Sequence, residues 1–126
     1  MPSDALLITN RAVAVVLPKQ PFVDWINRAD PAPDPQRPVL FDEARDDPNT
    51  FLIPCGGDDV IESAEKWINR NWQTIFDQML DDRYTDDALW PQKRSLKLFR
   101  EWREVRLHGT VFDCSDEPIQ IDLGPA

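Results

Sequence analysis

Cys55 is the residue with the greatest potential for covalent chemistry. It stands between a strand-like run and a helix-like run, and a helix dipole favours the thiolate, the nucleophilic form of cysteine. The carboxylates of Asp58 and Asp59 lie close by and disfavour that charge. The phosphatase spacing C-x5-R also fails, because Ile61 stands where the arginine is needed. We therefore expect Cys55 to be a small turn residue and keep a catalytic role as the alternative.

His108 is the only histidine of the chain. A histidine can act as a general base when a carboxylate orients it, and Glu104 or Asp113 is near enough in sequence to do so. A partly exposed strand histidine without catalytic duty is the simpler interpretation. Cys55 and His108 together define an alternative hypothesis, a small enzyme or small-molecule binder with its site near these two residues.

The other groups with potential chemistry do not form known motifs. Glycines 56 and 57 lack the lysine or arginine of a phosphate-binding loop and are followed by two aspartates. The pairs Asp81-Asp82 and Asp86-Asp87 lack the spacing and distal glutamate of a calcium loop. We expect no metal site and no cofactor.

A basic stretch covers residues 91–110, where six basic residues face two acidic ones in a chain of net charge −9. Pairs four residues apart, Lys97 with Glu101 and Arg100 with Glu104, predict ion pairs along one helix. The remaining cations, together with a tryptophan before a proline, form the predicted binding set: Trp90, Lys93, Arg94, Arg103 and Arg106. Trp90 itself is either a plug over the core or a contact residue at an interface.

Composition restricts the partners. The chain has 126 residues, 41% hydrophobic and 29% charged, with 14 basic against 23 acidic. Such acidity repels nucleic acid and anionic membranes, so we expect neither as a partner. The N-terminus lacks a basic leader, no apolar run could span a bilayer, and two cysteines are too few for a disulfide framework. We expect a soluble cytosolic protein with reduced thiols.

The segment Asp58–Leu80 is the element around which the rest must pack. Its apolar residues recur with helical period and cover about half of the circumference. Asp59 followed by Glu62 predicts an acidic capping box at its start. Asn71 projects close to the apolar side and needs a hydrogen-bond partner.

The remaining elements follow from hydrophobic period, prolines and caps. A valine-rich strand, a short helix, a connector with five of the twelve prolines, and a second strand precede the long helix. A short turn that Thr85 caps, a second helix that Ser95 caps, and an alternating strand follow it. The predicted ranges are 1–9 for a lead-in, 11–17, 19–28, 30–49, 50–54, 58–80, 95–102, 105–112, and 122–126 for a tail.

This order predicts one α+β domain over residues 1–126, in which a small mixed sheet of about three strands carries helices mainly on one face. A right-handed crossover would make the first two strands parallel, and the last strand would run antiparallel to the second. One side of the first strand, either Ala12 and Ala14 or Val13 and Val15, must then face away from the helices. A second subunit could cover it.

Three segments, Asn10–Phe22, Leu89–Trp102 and Val111–Ile119, carry a resemblance to known sequences. Their runs NRAVAVVLPKQPF, LWP with FREW, and VFD with DEPI resemble a group of small acidic bacterial proteins that have no assigned activity. The resemblance implies a bacterial, cytosolic, single-domain protein and no mechanism. We expect a non-catalytic module that binds a protein partner or forms a homodimer.

Overall fold

The computed structural model describes residues 4–125, so residues 1–3 of the predicted lead-in and residue 126 of the predicted tail lie outside the described residues. The chain forms β1 (Leu6–Ile8), β2 (Arg11–Pro18), α1 (Gln20–Ala29), α2 (Phe41–Ala44), β3 (Asn49–Pro54), α3 (Val60–Arg70), α4 (Trp72–Asp81), a 3-10 turn (Asp87–Leu89), α5 (Leu96–Trp102), β4 (Arg103–His108) and β5 (Val111–Asp113). The predicted α+β class is confirmed. Among the described helices, none is long and apolar enough to cross a membrane.

Strand β2 is the centre of a three-stranded sheet of order β3-β2-β4. Alternate residues of a strand point to opposite faces, and here Ala12 and Ala14 are fully buried whereas Val13 and Val15 are half-buried. The helices therefore cover the alanine side, which we call the inner face. Val13 and Val15 belong to the outer face, which settles the choice that the sequence left open.

The directions predicted for the strands were wrong. β3 pairs antiparallel with β2, with Val16 opposite Asn49, so the chain returns to the end at which β2 finished. The crossover rule applies only to a connection that carries the chain to the opposite end of the sheet. β4 also pairs antiparallel with β2, so β3 and β4 run in the same direction. The sheet is antiparallel rather than mixed.

Strands β1 and β5 continue the β2–β4 pair beyond an irregular step. Ile8 pairs with Val111 and Val13 with His108, so residues 9–12 on one side face residues 109–110 on the other. Gly109 approaches the first turn of α3, where an added Cβ would lie 3.3 Å from Val60 Cγ1. The strand predicted over 105–112 is thus divided in two, and part of the predicted lead-in is a strand.

The predicted long helix 58–80 divides at Asn71. The Asn71 side chain donates to the Trp67 carbonyl (2.9 Å), which also accepts from the Asn71 backbone N–H (2.9 Å). Asparagine competes in this way with regular helical bonding, and its backbone leaves the helical region before α4 begins. At the other end, Asp59 accepts from the Glu62 N–H (3.0 Å), as the N-cap half of the capping box predicts.

Helices and inner face enclose an aromatic core. Phe76 and Phe99 are fully buried, and Trp102 lies between helices with its ring centroid 5.8 Å from Phe76 and 5.9 Å from Phe22. The small side chains of Ala12 and Ala14 leave room for these rings against the sheet. On the apolar side predicted for segment 58–80, Ala64, Ile68, Ile75, Phe76 and Met79 are buried. The other three members of that side are half-buried against the core: Val60, Trp67 and Trp72.

Two short elements refine the predicted loops. Residues 41–44 of the proline-rich connector form α2, whose next residue, Arg45, donates to the Pro18 carbonyl (2.9 Å). This contact ties the connector to the end of β2. In the turn after α4, Asp86 rather than Thr85 is the cap, since its carboxylate accepts from the Ala88 N–H (3.0 Å). Ser95 caps α5 as predicted, through Leu98 N–H (3.1 Å).

Candidate functional site

Cys55 and His108 do not share a site. Cys55 follows β3 at one edge of the sheet, is half-buried and packs against the core on the inner face. His108 lies on β4, the opposite edge, and is exposed on the outer face next to Val13. Strand β2 separates them. A general base must come within hydrogen-bond reach of its nucleophile, and this geometry gives that pair no shared substrate position.

A groove of about 610 Å³ passes beside Cys55 and along the polar side of α3. Its lining carries Asp58, Asp59 and Glu62 as well as Lys66, so an anion meets mixed charge there. The Gly56 N–H donates to the Ser63 hydroxyl (3.1 Å), and Asp59 already caps α3. The backbone donors that a phosphate would use are therefore partly occupied.

One aspartate of each acidic pair has its own structural partner. Asp82 accepts from the Asn49 side chain (3.1 Å), and Asp86 caps the 3-10 turn. Over residues 4–125, no three His, Cys, Asp or Glu side chains are grouped as a metal site requires.

Trp90 is held as a plug. Its indole N–H donates to the Tyr84 carbonyl (2.7 Å), and its ring packs against the core. The neighbouring Trp25 indole donates to the Leu89 carbonyl (3.0 Å), which fixes the turn from the other side. Trp90 and Lys93 still line an apolar groove of about 620 Å³ between α1 and α5. Two members of the predicted binding set thus meet there.

Arg94 and Arg106 both have partners within the protein. Arg94 lies over the Trp90 ring, its Cζ 5.4 Å from the centroid, and its Nε is 3.2 Å from Asp77 Oδ1. These two atoms are not aligned for a hydrogen bond, so the contact is an ion pair only. Arg106 pairs with Glu104 (2.8 Å) on the outer face. The predicted binding set is therefore distributed over several surfaces and forms no single patch.

Glu104 does not pair with Arg100 as predicted, because α5 ends at Trp102 and Glu104 belongs to β4. Instead it accepts from Arg45 (2.9 Å) and from Arg106 (2.8 Å). These two hydrogen bonds hold the pKa of the Glu104 carboxyl below its ordinary value. The predicted Lys97–Glu101 pair is present, at 4.0 Å.

Arg100 and Arg103 line a cleft of about 270 Å³ between α3 and the junction of α5 with β4. The Arg103 guanidinium lies over the Phe99 ring, with Cζ 4.4 Å from the centroid. Burial lowers the pKa of Arg103 from its ordinary value, and the neighbouring charge of Arg100 lowers it further. In residues 4–125, no carboxylate lies within 4.0 Å of either arginine. The sequence did not indicate this pair, since Arg100 had an apparent partner four residues on.

Among the described residues, the outer face of the sheet carries exposed side chains on both edge strands: Thr50, Leu52, Arg106 and His108. It consists of three rows that cross the sheet, and the register sets their members side by side: Leu52–Val13–His108, Thr50–Val15–Arg106, and Leu17–Glu104. Leu17 is buried at the end where Arg45 donates to the Pro18 carbonyl, whereas Leu52 is 49% exposed. The open part of this face joins an apolar strip to a histidine and an arginine.

No protein-family model, no curated protein and no solved structure matches this chain. The resemblance to small acidic bacterial proteins therefore stays a prediction.

Proposed function

We propose that this protein is a non-catalytic interaction module whose contact surface is the outer face of its sheet and whose first partner is a second copy of itself. One observation carries this proposal: Val13 and Val15, in the middle strand, are only half-buried on the outer face, although the same strand's alanines on the inner face are fully buried. An antiparallel sheet commonly exposes one polar face. A valine and leucine strip on that face instead suits contact with another protein.

The area of the outer face limits the expected affinity of self-association. Strands lie about 4.8 Å apart, so three strands of this length present roughly 300 Å². A stable interface buries about 800 Å² per partner. The adjoining β1–β5 pair adds Leu7 and Phe112, which lie opposite each other and are 56% and 52% exposed. We therefore expect association in the micromolar range or weaker.

The alternative function, catalysis or small-molecule binding near Cys55 and His108, gains no support from the geometry, because the two side chains lie on opposite faces of the sheet. Composition and the two free thiols, Cys55 and Cys114, favour action in the cytosol.

The proposal is tested by sedimentation velocity over a concentration series, with Leu52→Lys as the disrupting variant. Leu52 is half-exposed on an edge strand, so lysine there keeps the fold while it places a charge in the contact. Ile61→Lys is the matched control, because Ile61 is 37% exposed on α3, on the inner side of the sheet. We expect the wild type and Ile61→Lys to associate and Leu52→Lys to remain monomeric.

A wild type that stays monomeric up to about 1 mM overturns self-association. A pull-down then tests a different protein partner with the same three chains. A protein captured by the wild type and the control but lost with Leu52→Lys supports the outer face as the contact surface. Equal capture by all three chains, or none, contradicts the proposal.

A further inference from the structure

We infer that the cleft between α3 and the α5–β4 junction binds a small carboxylate that bears a short aliphatic chain. Arg100 and Arg103 enter this cleft from one side, and Ile68, Val105 and Leu107 supply its apolar lining. The site is separate from the outer face, since Val105 and Leu107 alternate along β4 with the outer residues Arg106 and His108.

The two arginines carry the first step of this inference. A half-buried guanidinium is more stable with a carboxylate partner, because withdrawing its charge from water is unfavourable. Arg103 has none within the described residues, and its Nε is shielded from solvent without any hydrogen-bond acceptor. Arg100 adds a second positive charge beside it. An anion in the cleft would supply the missing negative charge and reduce the repulsion between the two cations.

The Phe99 ring supplies the second step. It lies beneath the Arg103 guanidinium, at 4.4 Å from Cζ, and it is itself fully buried. The ring fixes the cation in place before any ligand arrives, so little side-chain entropy is lost on binding.

The volume and the lining of the cleft indicate which class of ligand fits it. About 270 Å³ lies just below the usual range of small-molecule pockets, which excludes nucleotides and favours a compact molecule. Three aliphatic side chains beside two guanidinium groups match one carboxylate joined to a short hydrocarbon chain. Glu65 also lines the cleft and disfavours ligands with several negative charges.

The test is a titration with hexanoate in which two-dimensional NMR spectra record the amide chemical shifts at each step. Hexanamide, which has the same shape without the charge, and acetate, which lacks the chain, are the comparison ligands. We expect saturable hexanoate binding with a Kd of about 1 mM, ordinary for a ligand of this size, and at least tenfold weaker binding of both comparison ligands. The shifts should concentrate at Ile68, Val105 and Leu107.

Two variants locate the site. Arg103→Gln and Arg100→Gln should each weaken hexanoate binding at least tenfold. Lys97→Gln, at an exposed position of α5, the helix that holds Arg100, should leave binding unchanged. Arg100 is exposed, so Arg100→Gln keeps the test valid if Arg103→Gln fails to fold. The inference is overturned if hexanoate does not saturate, if hexanamide or acetate binds equally well, or if neither arginine substitution weakens binding.

Discussion

Asn27 and Val39 are joined by two hydrogen bonds that fasten the proline-rich connector to α1. The Asn27 Nδ2 donates to the Val39 carbonyl (3.0 Å), and the Val39 N–H donates to Asn27 Oδ1 (2.8 Å). The Asn27 side chain thus forms hydrogen bonds with both the N–H and the carbonyl of Val39, as a neighbouring strand would. Prolines supply no N–H for a regular ladder, so this pair replaces it locally.

Replacement of Asn27 by alanine should therefore destabilise the whole protein. The Val39 N–H and carbonyl would lose both partners in a half-buried position, and the expected loss is about 1–3 kcal/mol of unfolding free energy. Urea unfolding followed by tryptophan fluorescence measures it. Gln78→Ala, at an exposed position of α4, is the control and should change the unfolding free energy by less than about 0.5 kcal/mol. Equal midpoints for the two variants would show that the Asn27–Val39 hydrogen bonds contribute nothing to stability.

The two faces of β2 should respond differently to added volume. Ala14→Leu inserts three carbon atoms beneath buried aromatic rings, where overpacking costs about 1–3 kcal/mol. Val13→Leu adds one carbon atom on the half-buried outer face and should be nearly neutral for the free energy of unfolding. Thermal and urea unfolding of both variants at low protein concentration provide the comparison. A larger loss for Val13→Leu than for Ala14→Leu would mean that the inner and outer faces are assigned incorrectly.

Glu104 should make part of the stability depend on pH. Its pKa is lowered in the folded protein by hydrogen bonds from Arg45 and Arg106, so the folded state holds this proton less tightly than the unfolded chain. The stabilisation is fully present above the ordinary pKa of about 4.5 and is lost as the pH falls through the lower folded value. Glu104→Gln should thus be less stable than the wild type at pH 7, and the difference should shrink below about pH 4.5.

Urea midpoints between pH 3 and pH 7 measure that difference. Glu101→Gln removes a carboxylate of the exposed pair with Lys97 and should give a midpoint close to the wild type throughout. A gap between wild type and Glu104→Gln that stays constant down to pH 3 would contradict the linkage.

The two thiols should differ in accessibility. Cys114 is exposed, whereas Cys55 is half-buried and packs against the core. Reaction with an aromatic disulfide reagent should therefore show two phases in the native protein, and the slow phase should vanish in Cys55→Ser. Both thiols should react at one rate in denaturant. A Cys55 that reacts as fast as Cys114 in the native protein would revive the catalytic interpretation of this residue.

Local sequence patterns were enough to identify most elements. These patterns involve only a few neighbouring residues, so they can be recognised without the fold. They are the helical period of Val60–Leu80, the valine run of β2, and the caps Asp59 and Ser95. The order of the elements, with helices expected mainly on one face of the sheet, predicted that one side of β2 would face away from the helices. The division at Asn71 was missed, although its need for a hydrogen-bond partner was recognised.

Only the tertiary structure decided strand direction and the environment of the charged residues. β3 returns beside the end of β2, and the Asn27–Val39 and Arg45–Pro18 contacts, which no local pattern indicates, tie the connector down in that arrangement. Because α5 ends at Trp102, Glu104 lies on the outer face of β4 and not on the helix beside Arg100. Arg100 and Arg103 lie together in one cleft. Amino-acid type and spacing determine local geometry, whereas charge pairing and shared pockets depend on how separate elements pack.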